Sequence, residues 1–226
     1  MLLTLAAIAP ILIIVLYIYL KDKYEKEPKR LLFYNFMLGA VISIIITTLV
    51  YIIFEIIMPL PDHYSIFQQL VKAFIVVGLV EEFSKYIIVR YYAQPHKEFN
   101  EPFDGIVYAV MVSLGFAATE NIAYVIQGGY EVALLRAFTA VPAHATFGIL
   151  MGYYMGKAKF SMQRRQLNLL GLFLATFFHG VYDFFLFIDF IPGVWIGAIA
   201  SLILGIVLSR KAIRKHQERS HFNPQQ

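Results

Sequence analysis

The stretch from Val71 to Tyr92 constrains the fold of this chain more than any other. It is long and apolar enough to span a bilayer, yet Glu81, Glu82 and Lys85 lie near its middle. A charged side chain at the centre of a membrane helix costs roughly 2.5–3.5 kcal/mol. Three such side chains within one helix persist only where other polar groups of the protein surround them. We therefore expect a helical bundle to assemble around this stretch.

The composition is that of a membrane protein. Of the 226 residues, 59% are hydrophobic and 15% are charged, whereas a soluble domain carries about 25% charged residues. We expect one transmembrane helical domain over residues 1–209 and a basic cytoplasmic tail over 210–226. Cysteine is absent, which excludes disulfides and a cysteine nucleophile. The net charge of +4 is expected from basic cytoplasmic loops and not from nucleic-acid binding, because no basic-aromatic RNA-binding motif occurs.

The hydrophobic pattern predicts an all-α polytopic bundle of about seven transmembrane helices. The predicted spans cover residues 2–20, 31–58, 68–92, 104–127, 132–155, 167–187 and 194–208. The first span has no basic residues before it and no cleavage site after its apolar core, so we interpret it as a retained helix and not a signal peptide.

The distribution of basic residues predicts the orientation. Five Lys/Arg lie in the first loop, four in the fifth and five after the last span, while the second, fourth and sixth loops have none. Basic residues concentrate in cytoplasmic loops, so we place the N-terminus outside and the C-terminus in the cytoplasm. Lys72, Arg136 and Asp189 lie near span ends, where we expect them to extend to the interface.

Four of the predicted spans carry polar side chains at membrane depth. They are Glu81, Glu82 and Lys85 in the third span, Glu120 and Asn121 in the fourth, His144 in the fifth, and His179 and Asp183 in the sixth. Residues four apart share a helix face, so His179 is expected beside Asp183 and Glu81 beside Lys85. Gly148, Gly152 and Gly156 continue the face of His144, and such a small-residue face lets another helix approach closely. With the predicted orientation, the polar groups form a site that opens to the extracytoplasmic side.

Glutamate and histidine in one cavity can activate a water molecule and stabilise an oxyanion. Glu120, His144 and His179 are also acceptable zinc ligands, so metal-free and zinc-dependent mechanisms are both open. No H-E-x-x-H or G-x-S-x-G motif is present. Two other classes of protein fit the same polar groups. They are a proton-coupled transporter or channel, and a catalytically silent scaffold that binds a partner helix.

Several motifs, in order, carry a resemblance to a known family. They are EEFSK (Glu81–Lys85), DGIVYA (Asp104–Ala109), SLGFAATEN (Ser113–Asn121), PAHATFGILMGYYMGKAKF (Pro142–Phe160) and HGVYD (His179–Asp183). Together they resemble the PrsW family of bacterial intramembrane proteases over nearly the whole chain. The resemblance implies the site-1 cut in a single-pass anti-sigma factor, which starts regulated intramembrane proteolysis and frees a sigma factor in a stress response. It also implies the cell membrane of a Gram-positive bacterium.

PrsW proteins are distantly similar to CAAX-type prenyl proteases, which have the motifs E-E-x-x-x-R, F-x-x-x-H and H-x-x-x-N/D. The similarity implies that Glu81 is the water-activating base and that His179 stabilises the oxyanion. Lys85 stands one position before the arginine of the first motif, and Glu120 stands where the relatives have histidine. Glu120 or His144 would then take the second role. The expected catalytic set is Glu81, Glu82, Glu120, His144 and His179, supported by Lys85, Asn121 and Asp183.

Overall fold

The computed structural model describes residues 2–224, which form helices and contain no strand. The helices are α1 (Leu2–Lys21), α2 (Lys29–Ile57), α3 (residues 66–93), α4 (Pro102–Phe138), α5 (Ala140–Lys159), α6 (Arg164–Phe187) and α7 (Trp195–Glu218). By length and composition, five segments within residues 2–224 can cross a membrane: α1, α2, the α4–α5 segment Pro102–Lys159, α6 and α7. The predicted all-α membrane protein is confirmed. Charged residues exclude α3 from that set.

The fourth and fifth predicted spans have different boundaries in the structure. The chain breaks at Gly129, where φ is 69°, but it resumes helical geometry as far as Phe138. The next helix begins at Ala140, eight residues after the predicted start at residue 132. Among the intervening residues, Ala133 is buried in a cluster with Ala7 of α1 and Val125 of α4.

Helix α7 also extends beyond its predicted end. It continues from residue 208 to Glu218, so half of the predicted tail is helical. The buried residues Ser209, Ala212, Ile213 and His216 lie on one face, since each step from 209 to 212 or 213 and on to 216 is three or four residues, and this buried face explains why the helix continues through a basic sequence. Met1 and the last two residues of the predicted tail, 225–226, lie outside the described residues.

Helices α4 and α5 form an antiparallel pair at the centre of the bundle, and most of their residues are buried. Their backbones come so close that a β-carbon on Gly152 would overlap the backbone of Gly105. Further along the pair, Ser113 Oγ donates a hydrogen bond to the carbonyl of His144 at 2.7 Å. The predicted close helix contact at the glycine face is therefore present. Helices α1 and α2 pack on α4, α3 packs on α6, and α7 packs on α5 and α6.

The loop between α1 and α2 is fixed to α4 by buried acidic groups. Asp22 and Glu27 are both buried, and Glu27 accepts a hydrogen bond from the hydroxyl of Tyr108. The backbone N–H of Glu27 donates to Asp22 Oδ2 at 3.1 Å. Burial, reinforced by the nearby carboxylate of Asp104, raises the pKa of Glu27 to about 10. This end of the bundle therefore holds a carboxyl group that stays protonated at neutral pH.

Candidate active site

The polar residues predicted from the sequence converge on one cavity of about 600 Å³. Its lining comes from five helices, α2 to α6, in the half of the bundle that carries the α2–α3 loop, the break at Gly129 and the α6–α7 loop. The predicted site residues that line it are Glu81, Glu120, His144, His179 and Asp183. Glu82, Lys85 and Asn121 lie behind this lining and are fully or almost fully buried.

The adjacent carboxylates of Glu81 and Glu82 have different surroundings. Glu82 is completely buried, and its Oε1 accepts a hydrogen bond from Lys85 Nζ at 2.7 Å and lies 2.9 Å from His179 Nδ1. Glu81 lines the cavity, and its Oε1 accepts a hydrogen bond from the hydroxyl of Tyr51 at 2.7 Å. Its Oε2 lies 3.5 Å from Lys85 Nζ. Of the two carboxylates, Glu81 is therefore the one placed to contact water or a substrate.

His179 is oriented by carboxylates on both sides of its ring. Nδ1 faces Glu82, and Nε2 lies 3.2 Å from Asp183 Oδ2 and 3.9 Å from Glu81 Oε2. The ring also stacks on Phe147 at a centroid distance of 4.8 Å. The predicted pairing of His179 with Asp183 on one helix face is present. Nε2 is thereby held at the cavity beside Glu81.

A second histidine, His144, links the two halves of the site. Its Nδ1 lies 3.3 Å from Lys85 Nζ, and its Nε2 lies 2.9 Å from Glu120 Oε2. A lysine ammonium only donates hydrogen bonds. Nδ1 therefore accepts from Lys85, and Nε2 carries the proton that is donated to Glu120. The hydrogen bonds thus run continuously from Glu82 through Lys85 and His144 to Glu120.

Arg136 belongs to the site, which corrects the expectation that it extends to the interface. Its guanidinium donates to Glu120 Oε2 and to Asn121 Oδ1, each at 2.6 Å, and its side chain is only 14% exposed. Asn121 in turn donates to the carbonyl of Ala7 at 2.7 Å, which connects the site to α1. For Lys72 and Asp189, extension to the interface stays a prediction. Lys72 lies at the cavity over the ring of Phe187, and Asp189 pairs with a histidine at the exposed α2–α3 loop.

The sequence also gave no indication of Tyr51. It lies in the apolar helix α2, and the chain has 15 tyrosines, most of them in apolar runs. Nothing in its spacing distinguishes it from tyrosines that face lipid. Its contact with Glu81 depends on how α2 is rotated against α3, which a sequence pattern does not specify.

One group of side chains has the chemistry of a metal site. Among residues 2–224, ligand atoms of Glu81, Glu120 and His144 all lie within 4.8 Å of one another. Two carboxylates and one imidazole fit zinc, which in catalytic sites has three protein ligands and an open fourth position. His179 is outside this group, because its Nδ1 faces Glu82 and its Nε2 lies 3.2 Å from Asp183 Oδ2. A metal ion held by the group would replace the hydrogen bond between His144 and Glu120. The ligand set that the structure offers therefore differs from Glu120, His144 and His179 by having Glu81 in place of His179.

Comparison with known proteins identifies the family. The model of the family described as "PrsW family intramembrane metalloprotease" matches residues 27–210. "Protease PrsW" of Geobacillus kaustophilus is 38% identical over 222 residues, which cover 97% of this chain and 93% of that protein. "Protease PrsW" of Oceanobacillus iheyensis is 44% identical over 182 residues (80% of this chain, 81% of that protein), and that of Bacillus subtilis 39% over 183 residues (80% and 81%). No solved structure matches. The chain belongs to the PrsW family of intramembrane metalloproteases and is a membrane-embedded protease.

Proposed function

We propose that this protease makes the site-1 cut in a single-pass anti-sigma factor, on the extracytoplasmic side of the cell membrane of a Gram-positive bacterium. The cut starts regulated intramembrane proteolysis and frees the sigma factor. One observation carries the proposal. A carboxylate and an imidazole, Glu81 and His179, face one cavity at the end of the bundle whose connecting segments carry Arg136 as their one basic residue, within residues 2–224.

The proposed topology has seven membrane crossings. Helix α3 adds a crossing to the five apolar segments, because its charged residues are neutralised inside the bundle and not exposed to lipid. The break between Gly129 and Ala140 divides the 58-residue segment Pro102–Lys159, already counted once, into two crossings, which gives the seventh. Basic residues concentrate at the opposite end from the cavity, which supports an outside N-terminus, a cytoplasmic C-terminus and an outward-facing cavity.

In the proposed mechanism, Glu81 is the general base. Tyr51 and Lys85 hold its carboxylate at the cavity, where it takes a proton from water. The hydroxide attacks the scissile carbonyl carbon, and the N–H at Nε2 of His179 donates a hydrogen bond to the developing oxyanion. The C–N bond then breaks, and Glu81 returns its proton to the leaving amine. These reaction steps use one general base, Glu81, and one hydrogen-bond donor, His179, on the same wall of the cavity.

Glu120 and His144 form the opposite wall. Arg136 fixes the carboxylate of Glu120, and Lys85 fixes the ring of His144, so both groups face the cavity in one orientation. A zinc ion held by Glu81, Glu120 and His144 would polarise the carbonyl and lower the pKa of bound water. Glu81 would then serve as a ligand, and the hydrogen bond from Tyr51 would orient it in either role.

The test uses Glu81→Ala and His179→Ala, co-expressed with a fusion that carries the transmembrane segment and outer flank of an anti-sigma factor. We expect both variants to remain in the membrane and to leave the fusion uncut. Glu55→Ala is the matched control, because Glu55 is an exposed carboxylate of α2 outside the cavity. Undiminished cutting by both active-site variants would refute the proposed machinery. Cutting of the fusion inside the cytoplasm would refute the site-1 assignment.

A further inference from the structure

A second cavity lies at the other end of the bundle from the active site. It has a volume of about 330 Å³ and lies among the C-terminal ends of α5 and α7 and the N-terminal end of α6. Its polar lining includes Lys157, Gln163, His216 and Arg219, and it shares no residue with the lining of the active site. Lys157 lies 13 residues after His144 on α5, about 20 Å along the helix at 1.5 Å per residue.

His216 is the buried polar group of this cavity. It is only 3% exposed, and neither of its ring nitrogens makes a hydrogen bond of good geometry among residues 2–224, although the backbone carbonyl of Pro102 lies beside the ring. Its ring packs against Tyr153 at a centroid distance of 4.3 Å, which fixes its position at the cavity wall. Buried polar groups in native proteins are nearly always hydrogen-bonded. An imidazole held in this way indicates a ligand that offers hydrogen-bonding oxygen atoms.

The two cations of the cavity are available to an anion. In the part of the chain that the structure describes, neither Lys157 nor Arg219 forms an ion pair with a carboxylate, whereas Arg214 on the same helix pairs with Glu218 at 3.5 Å. Lys157 Nζ lies 5.6 Å from the ring centroid of Tyr153, at the cavity. Lys157 is half-buried and Arg219 is exposed, so one cation lines the interior and the other the mouth.

The mouth of the cavity has an apolar border. Phe160 lines the cavity and is 51% exposed, and Met162 in the same turn is fully exposed. Exposed large apolar side chains beside a cationic cavity suit the boundary between headgroups and acyl chains. Basic pockets between transmembrane helices are known binding sites for anionic headgroups.

We propose that this second cavity binds a phosphate group through Lys157, Arg219 and His216. The phosphate belongs to an anionic lipid headgroup or is free in solution, since both present the same oxygen atoms to the three side chains. The site would secure the ends of α5, α6 and α7 to one another, at a distance from the catalytic cavity.

The experiment measures binding to the purified full chain in neutral detergent. The probes are short-chain phosphatidylglycerol, short-chain phosphatidylcholine and inorganic phosphate. If only phosphatidylglycerol binds saturably, the site exists and takes its phosphate from a lipid headgroup. If inorganic phosphate also binds, the site exists and the phosphate group alone is enough for binding. Failure of both anions to bind saturably, or equal binding of phosphatidylcholine, would overturn the proposal.

Variants locate the binding. Replacing Lys157 and Arg219 together by Ala should weaken binding about tenfold or more, because each cation near an anionic headgroup contributes to its attraction. His216→Phe keeps an aromatic ring without nitrogen atoms and should also weaken it. The matched control is the double change Lys211→Ala and Lys215→Ala, which removes the same charge from exposed positions of α7. An equal loss in the control, or no loss in His216→Phe, contradicts the site. Arg219→Gln alone, at an exposed position, tests the cavity if the double variant does not fold.

Discussion

Tyr51→Phe gives the sharpest test of the arrangement around Glu81. The substitution removes one hydroxyl and leaves the ring, so the packing of α2 against α3 is retained. The lost interaction is the 2.7 Å hydrogen bond from the hydroxyl to Glu81 Oε1, in a cavity wall where Glu81 is 4% exposed. A hydrogen bond to a charged group contributes about 1.5–3 kcal/mol, which corresponds to a rate decrease of roughly 10- to 150-fold.

The decrease should appear in kcat and not in KM, because Tyr51 positions the carboxylate and does not hold the substrate. The assay is the initial rate of cleavage of a single-pass substrate by purified protease in liposomes. Tyr124→Phe is the matched control, since Tyr124 lines the same cavity but contacts Arg136 through its ring, at 4.2 Å. We expect the control to stay within about twofold of wild type, as for most substitutions that break no hydrogen bond. A Tyr51→Phe rate equal to that of Tyr124→Phe would refute the role assigned to Tyr51.

Three further predictions follow from the structure. Metal analysis of purified protein separates the two mechanisms. If zinc is bound, wild type should contain about one zinc per chain and His144→Ala little, because three ligands converge in the cavity; equal metal contents would exclude this ligand set, and active wild type without metal would leave Glu81 as the general base. Because the pKa of Glu27 is raised to about 10, the folded state retains a proton that the unfolded state releases above its ordinary value near 4.5. Stability should therefore fall as the pH rises from 6 to 9, by at most about 1.4 kcal/mol per pH unit. The melting temperature of Glu27→Gln should therefore decrease less with rising pH than that of wild type. An equal pH dependence in the two proteins would contradict the raised pKa of Glu27. Since the chain has no cysteine, Glu131→Cys should react with an impermeant maleimide on intact cells and Lys97→Cys should not; the reverse pattern would invert the topology.

The sequence predicted the polar positions of the site because charged residues stand out in apolar runs. Glu81, Glu120, His144 and His179 could be found in this way, and the structure brings all four to one cavity. The sequence could not predict which atoms of these residues converge, since that depends on the rotation of each helix about its axis. His179 consequently appeared in the expected zinc set, although its nitrogens face other carboxylates.

Helix ends were harder to predict than helices. The basic residues after 208 resemble a tail, and only the three- to four-residue steps from Ser209 to Ala212 or Ile213 and on to His216 indicate a buried face. The chain reversal at Gly129 had a similar effect on Arg136. The sequence predicts that Arg136 lies at the end of a span, but the chain folds back after Gly129 and places its side chain at the cavity.

Because the chain reverses at Gly129, the charge balance of the active site depends on the short segment after Gly129, which is mostly exposed. Arg136 lies beyond the break in α4, yet it supplies the guanidinium that pairs with Glu120. Each residue of a helix turns the next by about 100°. Deleting a single residue between Gly129 and Arg136 would therefore rotate the guanidinium away and leave Glu120 with His144 alone. The active site therefore constrains the number of residues in this segment as well as the identity of the catalytic residues.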